Sequence, residues 1–92
     1  MIVRIGESLA AEGQAEALYA LFMSLEAHIT GSEGNLGYEV LRHADDPGRI
    51  LVIERWESVE AHDRSVENFP KQDMQAAMRL FATPPVGNNY IP

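Results

Sequence analysis

The chain has no cysteine, which excludes disulfide cross-links, thiolate metal sites and a thiol nucleophile, and suits a reducing compartment. Basic residues are scarce: seven Lys and Arg stand against fourteen Asp and Glu, for a formal charge of -7. Such a surface repels phosphate backbones and offers no basic stripe, so nucleic acid is not an expected partner. No apolar run approaches the roughly 18 residues of a membrane span, and Met1 to Gly6 is too short and too charged for a signal sequence. A soluble, cytoplasmic protein is expected. Also missing are a glycine-rich phosphate loop, the H-x-x-x-H and H-E-x-x-H metal spacings, and a serine triad signature. What remains is histidine and carboxylate chemistry on 92 residues, enough for one domain over 1–92. A chain this short buries only about 60 to 65 per cent of its unfolded surface, so self-association would add stability.

Val3 and Ile5 alternate with Ile2 and Arg4, which predicts a strand over residues 1–8. From Gln14 to Ile29, Leu18, Leu21, Phe22, Leu25 and Ile29 recur every three or four residues and fall on one helical face. Gly31 and Gly34 are expected to end that helix in the left-handed conformation common at helix C-termini. Two β-rich runs, Leu36 to His43 and Arg49 to Glu57, flank Ala44-Asp-Asp-Pro-Gly48, whose residues favour a tight turn; they read as an antiparallel hairpin. Ile50-Leu-Val-Ile53 is apolar on both strand faces, so both faces of the sheet should be covered, one by helices and the other by a second copy of the chain. Ser58 is a plausible N-cap for a short helix over 59–65, and Pro70 suits the first turn of another. The last helix should turn Met74, Ala77, Met78 and Phe81 inward, stop at Pro84-Pro85, and give way to an edge strand over 86–91. The order is β-α-β-β-α-β with the second helical region split in two: an α+β, ferredoxin-like domain with a four-stranded antiparallel sheet. That fold hosts many activities.

Three segments carry more specific information: Gly34-Asn-Leu-Gly-Tyr38-Glu-Val40, Asp45-Asp-Pro-Gly48 and Val52-Ile-Glu54-Arg-Trp56-Glu-Ser58-Val-Glu60-Ala61. Together they resemble the antibiotic biosynthesis monooxygenase family over nearly the whole chain. The resemblance implies a homodimeric αβ barrel in which two sheets pack through their open faces. It also implies oxidation of a small aromatic, quinol or anthrone-like compound by dioxygen, with no flavin, haem or metal. Such chemistry needs an apolar pocket, a base and donors for an oxyanion. The family often carries a histidine nine residues after the tryptophan, where this chain has Ser65, while His62 occupies a place that is usually apolar. Either His62 supplies the base from the neighbouring turn, or the familiar acid-base group is missing. The haem-degrading branch is disfavoured, because Glu7 or its neighbours and Val66 stand where that branch has an asparagine and a ligand histidine.

On this basis His62, Tyr38 and Trp56 are the candidate catalytic residues, with His62 as base and the two aromatic side chains orienting the ring. Each has a structural alternative: His62 as a surface or core residue, Trp56 as a core anchor, Tyr38 as an anchor of the sheet. Phe22, Glu54, Met74, Met78 and Phe81 are candidate substrate contacts, although helical spacing also suits a plain core. Glu54 shares a strand face with Val52 and Trp56, so Arg4 or Arg42 is expected to pair with it. His43 reads as a surface residue and His28 as a cation favoured by a helix C-terminus. Two other readings stay open: a proton-transfer enzyme such as an isomerase acting on a small oxygenated metabolite, and a non-catalytic ligand-binding or stress-response dimer.

Overall fold

Alternation in the opening segment becomes strand β1, Ile2–Leu9, in a computed structural model that describes all residues 1–92. Helices α1, Ala15–Ser24, and α2, Glu26–Thr30, follow; β2, Asn35–Arg42, and β3, Arg49–Trp56, form the hairpin. Then come α3, Val59–Glu67, α4, Lys71–Ala77, a 3-10 turn over Met78–Leu80 and β4, Val86–Tyr90. The four strands form one antiparallel sheet in the order β2-β3-β1-β4. This is the α+β, ferredoxin-like arrangement expected from the element order.

The register explains the two faces. Ile2 opposes Trp56, Gly6 opposes Val52, and Val40 opposes Val52 from the other side. Period-two alternation therefore places Ile50, Val52, Glu54 and Trp56 together on one face. Helices cover that face. Leu18, Ile50 and Val52 form its centre, joined by Leu21, Phe22, Tyr38, Leu80 and Phe81, and Trp56 is fully buried. Their partners in alternation, Leu51 and Ile53 with Val3 and Ile5, face the opposite side, where no helix packs. Leu9, Leu41 and Tyr90 on that side are 41%, 42% and 52% exposed. The face is open and apolar at its centre, with Glu7, Glu39, Arg49 and Arg55 around it on the same parity.

Several local expectations need correction. The helix expected over 14–29 is interrupted at Leu25. The Ser24 hydroxyl donates to the Leu21 carbonyl at 2.6 Å, and the Leu25 N–H divides between the carbonyls of Leu21 and Phe22 at 3.2 and 3.3 Å. A serine side chain competing for a helical acceptor bends the helix there. Gly31 is not left-handed, with φ -80°; of the two glycines expected to end the helix, Gly34 alone, at φ +87°, has a positive φ. Gly34 is also a close approach, because a Cβ there would lie 2.7 Å from the Ala61 Cβ. The inward stripe of the last helix fails in part: Met74 and Met78 are exposed. Helix α4 ends at Ala77, and the tighter 3-10 turn that follows changes the phase, so Leu80 joins Phe81, which packs on the core as expected.

Ser58 caps α3 as expected, its hydroxyl accepting from the Ala61 N–H at 3.2 Å. Pro70 sits just before α4, as its N-cap. In the hairpin turn the Asp46 carboxylate accepts from the Gly48 N–H, and the His43 imidazole accepts from the N–H groups of Asp45 and Asp46, each at 3.1 Å. His43 is an exposed turn residue.

Candidate functional site

Two cavities of about 170 Å³ each lie on the helix-covered side of the sheet, and Glu54, Leu25 and Ile29 wall both. The first opens between β3, α2, α3 and α4, bounded by Trp56, His62, His28, Ser65, Phe69 and Met74. The second lies over β1 and the β4 edge, bounded by Arg4, Ser8, Phe22, Tyr38, Val52 and Val86. Each is smaller than the roughly 300 Å³ at which sites for drug-sized ligands begin, so the space suits compounds of one or two rings.

The first cavity holds the ionisable groups. Trp56 ends β3 on the buried parity, and His62 sits on α3 one turn after the Ser58 cap. Their rings meet edge to face with centroids 5.7 Å apart. The His62 side chain is 13% exposed, and its Nδ1 lies 3.3 Å from the Asp63 carboxylate. With Nδ1 as the donor to Asp63, Nε2 is the basic nitrogen, and Nε2 makes no hydrogen bond within the protein. The indole N–H of Trp56 donates to Glu54 Oε1 at 2.8 Å. No cation pairs with Glu54: Arg42 bridges Glu16 at 2.7 Å, and Arg4 donates to the Asn89 side chain at 3.1 Å. The ion pair expected for Glu54 is therefore replaced by an indole hydrogen bond.

Tyr38 serves as an anchor. Its hydroxyl donates to the Phe22 carbonyl at 2.6 Å, tying β2 to α1. Burial, with the charges of Glu54 and Glu26 adding to it, pushes the phenol well above its ordinary value, so the hydroxyl keeps its proton.

Ser65 is buried and belongs to a polar seam between α2 and α3. The Ser32 hydroxyl donates to the His28 carbonyl at 2.7 Å, so the Ser65 hydroxyl donates to Ser32 at 2.9 Å. The His28 Nε2 lies 3.1 Å from the Ser65 carbonyl and acts as donor to it. The His28 ring also meets Phe69 edge to face at 5.3 Å. Every donor of the seam is used, which fits a structural fastening rather than a base.

Of the residues singled out from the sequence, the structure gathers His62, Trp56, Glu54 and Met74 around the first cavity and Phe22, Tyr38 and Glu54 around the second. It does not bring Met78 or Phe81 to either. Met78 is exposed, and Phe81 packs edge to face on Phe22 at 6.0 Å as core. Sequence reasoning missed Arg4 and His28. His28 lies three residues after Leu25 and beside Ile29 on the same helical stripe, a signal that the helix-end reading obscured. Arg4 shares strand parity with Ile2 and Gly6, which marks the covered face. No group of three or more His, Asp or Glu side chains converges as metal ligands would.

The fold and this cavity define a small α+β domain with a compact, partly ionisable hollow between sheet and helices. The sequence profile of the antibiotic biosynthesis monooxygenase family matches residues 1–79, and the chain belongs to that family. Solved structures agree in fold. A Shewanella oneidensis protein is 26% identical, with a TM-score of 0.85 over 97% of this chain and 87% of its own. A Pseudomonas aeruginosa protein is 22% identical, with a TM-score of 0.88 over 99% of this chain and 92% of its own. SnoaB of Streptomyces nogalater, described as a cofactor-independent oxygenase, is 16% identical, with a TM-score of 0.81 over 99% of this chain and 91% of its own. No curated protein matches the chain by sequence. No helix is long and apolar enough to cross a membrane.

Proposed function

We propose that this chain is a cofactor-independent monooxygenase that oxidises a small aromatic, quinol or anthrone-like compound with dioxygen, acting in the cytoplasm as a homodimer of single-domain subunits joined through their open sheet faces. The observation that carries the reading is the first cavity, which His62, its Nε2 free of protein partners, lines beside Trp56, Leu25, Ile29 and Phe69. Membership of the family and the fold shared with a cofactor-independent oxygenase support it.

For an anthrone-like methylene the chemistry runs as follows. His62 takes one C–H proton, the carbanion passes an electron to dioxygen, and the radical pair joins as a C–O bond. The peroxide takes the proton back from His62 and loses water, leaving a ketone; one oxygen atom enters the product and the other leaves as water. For a quinol instead, transfer from a phenol, ordinarily near pKa 10, to an imidazole, ordinarily near 6.5, is about 4 to 5 kcal/mol uphill, which hydrogen-bond donors around the cavity must offset. Trp56, which is fully buried, acts through the imidazole it meets edge to face and so positions His62.

Oxygen uptake across a panel of quinols and anthrones, with His62→Ala beside the wild type, tests this reading. Turnover that depends on oxygen and falls at least about a hundredfold in the variant, the usual worth of a general base, supports it. Equal uptake removes His62 from the mechanism, and product formation without oxygen uptake points to proton-transfer chemistry in the same cavity.

A further inference from the structure

Arg4 and Glu54 are directly opposed on neighbouring strands and share the covered face of the sheet. Opposite charges so placed ordinarily pair. Here they do not; the one guanidinium–carboxylate pair of the protein is Arg42 with Glu16. Each charge is instead drawn away from the other. Arg4 leans towards β4, where Nη1 donates to Asn89 Oδ1 at 3.1 Å. Its guanidinium lies over Gly87, where a Cβ would stand only 2.9 Å from the Arg4 Cζ. Glu54 leans along its own strand to accept the Trp56 indole N–H. Both line the second cavity, whose wall also includes Phe22, Leu25, Ile29 and Val52 and the polar Ser8 and Tyr38. Arg4 keeps Nε and Nη2 without protein partners, and Glu54 keeps Oε2. The result is a hollow beside the exposed β4 edge whose wall carries both a cation and a carboxylate.

We propose that Arg4 and Glu54 are the two poles of a ligand anchor, selecting a one- or two-ring aromatic compound with an ionised oxygen at one end and a hydroxyl at the other. The proposal rests on reading these cavities as the substrate site and names the class of substrate. The ionised oxygen, carboxylate or phenolate, accepts from the free guanidinium N–H groups. The hydroxyl donates to Glu54, on the side where Trp56 and His62 stand. A purely hydrocarbon ring would engage none of the free groups, Arg4 Nε and Nη2 and Glu54 Oε2, and would gain nothing from either charge. Gly87 is part of the device, since any side chain there would push the guanidinium off its seat.

Isothermal titration calorimetry under argon tests the anchor without involving oxygen chemistry. The probes are 6-hydroxy-2-naphthoate, its carboxamide, which lacks the charge, and 6-methoxy-2-naphthoate, which lacks the donor. The wild type is expected to bind the hydroxy acid at least about tenfold more tightly than either analogue, the usual worth of a charge-assisted hydrogen bond. Arg4→Gln should reduce the preference for acid over amide to less than about twofold, whereas Arg79→Gln, on the exposed 3-10 turn, should retain it. Gly87→Ala keeps the cation but displaces it, and gives an independent reading if Arg4→Gln fails to fold. No binding of the hydroxy acid, equal binding of acid and amide by the wild type, or a preference undiminished in both variants overturns the proposal. A wild type that shows the preference yet consumes no oxygen with any substrate upholds the anchor and removes the oxygenase assignment.

Discussion

The Trp56 indole N–H donates to Glu54 Oε1 at 2.8 Å, so an aromatic side chain, not a cation, holds the carboxylate at the junction of the two cavities. Replacing Trp56 by Phe removes the donor and part of the ring. A loss of about 2 to 4 kcal/mol is expected, combining an unmatched carboxylate with a large-to-small change at a fully buried position. Urea unfolding followed by far-ultraviolet circular dichroism measures it; a loss under about 1 kcal/mol would show that Glu54 does not depend on the indole.

Tyr38→Phe removes the hydroxyl that reaches Phe22 and should cost about 1 kcal/mol of stability. Because the bond anchors β2 to α1, oxygen uptake should change little; a loss of tenfold or more would assign the hydroxyl to the substrate.

The same phenol gives a pH dependence with a definite sign. Its pKa is raised on folding, chiefly by burial, so the folded state holds the proton more tightly than the unfolded chain. The corresponding stability is fully present below about pH 10 and is lost as pH rises beyond it towards the folded value. The thermal midpoint should fall more steeply above pH 10 in the wild type than in Tyr38→Phe. Parallel curves would count against the shift.

Gly34→Ala meets two obstacles, a backbone φ of +87° and a Cβ contact of 2.7 Å with Ala61 at the start of α3. A loss of about 2 kcal/mol or more is expected, since left-handed geometry alone costs an alanine about 1 to 2. A denaturant midpoint like that of the wild type would refute it.

Ile53→Lys places a charge in the middle of the open apolar face and should convert the proposed dimer to monomers, as sedimentation equilibrium would reveal. A wild type that sediments as a monomer, or a variant that remains a dimer, would exclude this face as the interface.

The strands, the hairpin turn and the Ser58 cap were legible because each rests on local chemistry: alternation in Ile50 to Ile53, the Asp-Asp-Pro-Gly turn, a hydroxyl three residues before an unpaired N–H. The break at Leu25 was not, because it depends on which acceptor the Ser24 hydroxyl selects. Met78 stands outside the core where the 3-10 turn begins and the helical phase changes, whereas Met74, within α4, edges the first cavity and stays exposed. At the site, Trp56 and His62 could be found from their positions in the Glu54-Arg-Trp56 to Ala61 segment. Glu54's partner and the role of Ser65 could not, since both are decided by residues on other elements: the choice between Arg4, Arg42 and Trp56, and the meeting of α2 with α3 through His28 and Ser32.

Both cavities lie on the helix side of the sheet, while the apolar face available to a partner lies on the other. In the proposed dimer two sheets, packed about 10 Å apart, would stand between one protomer's ligand and the other's, and neither protomer would lend a side chain to its neighbour's site. Occupying one site would then leave the other unchanged, so substrate saturation should be hyperbolic, with a Hill coefficient near one, and dilution to monomers should affect activity only through stability.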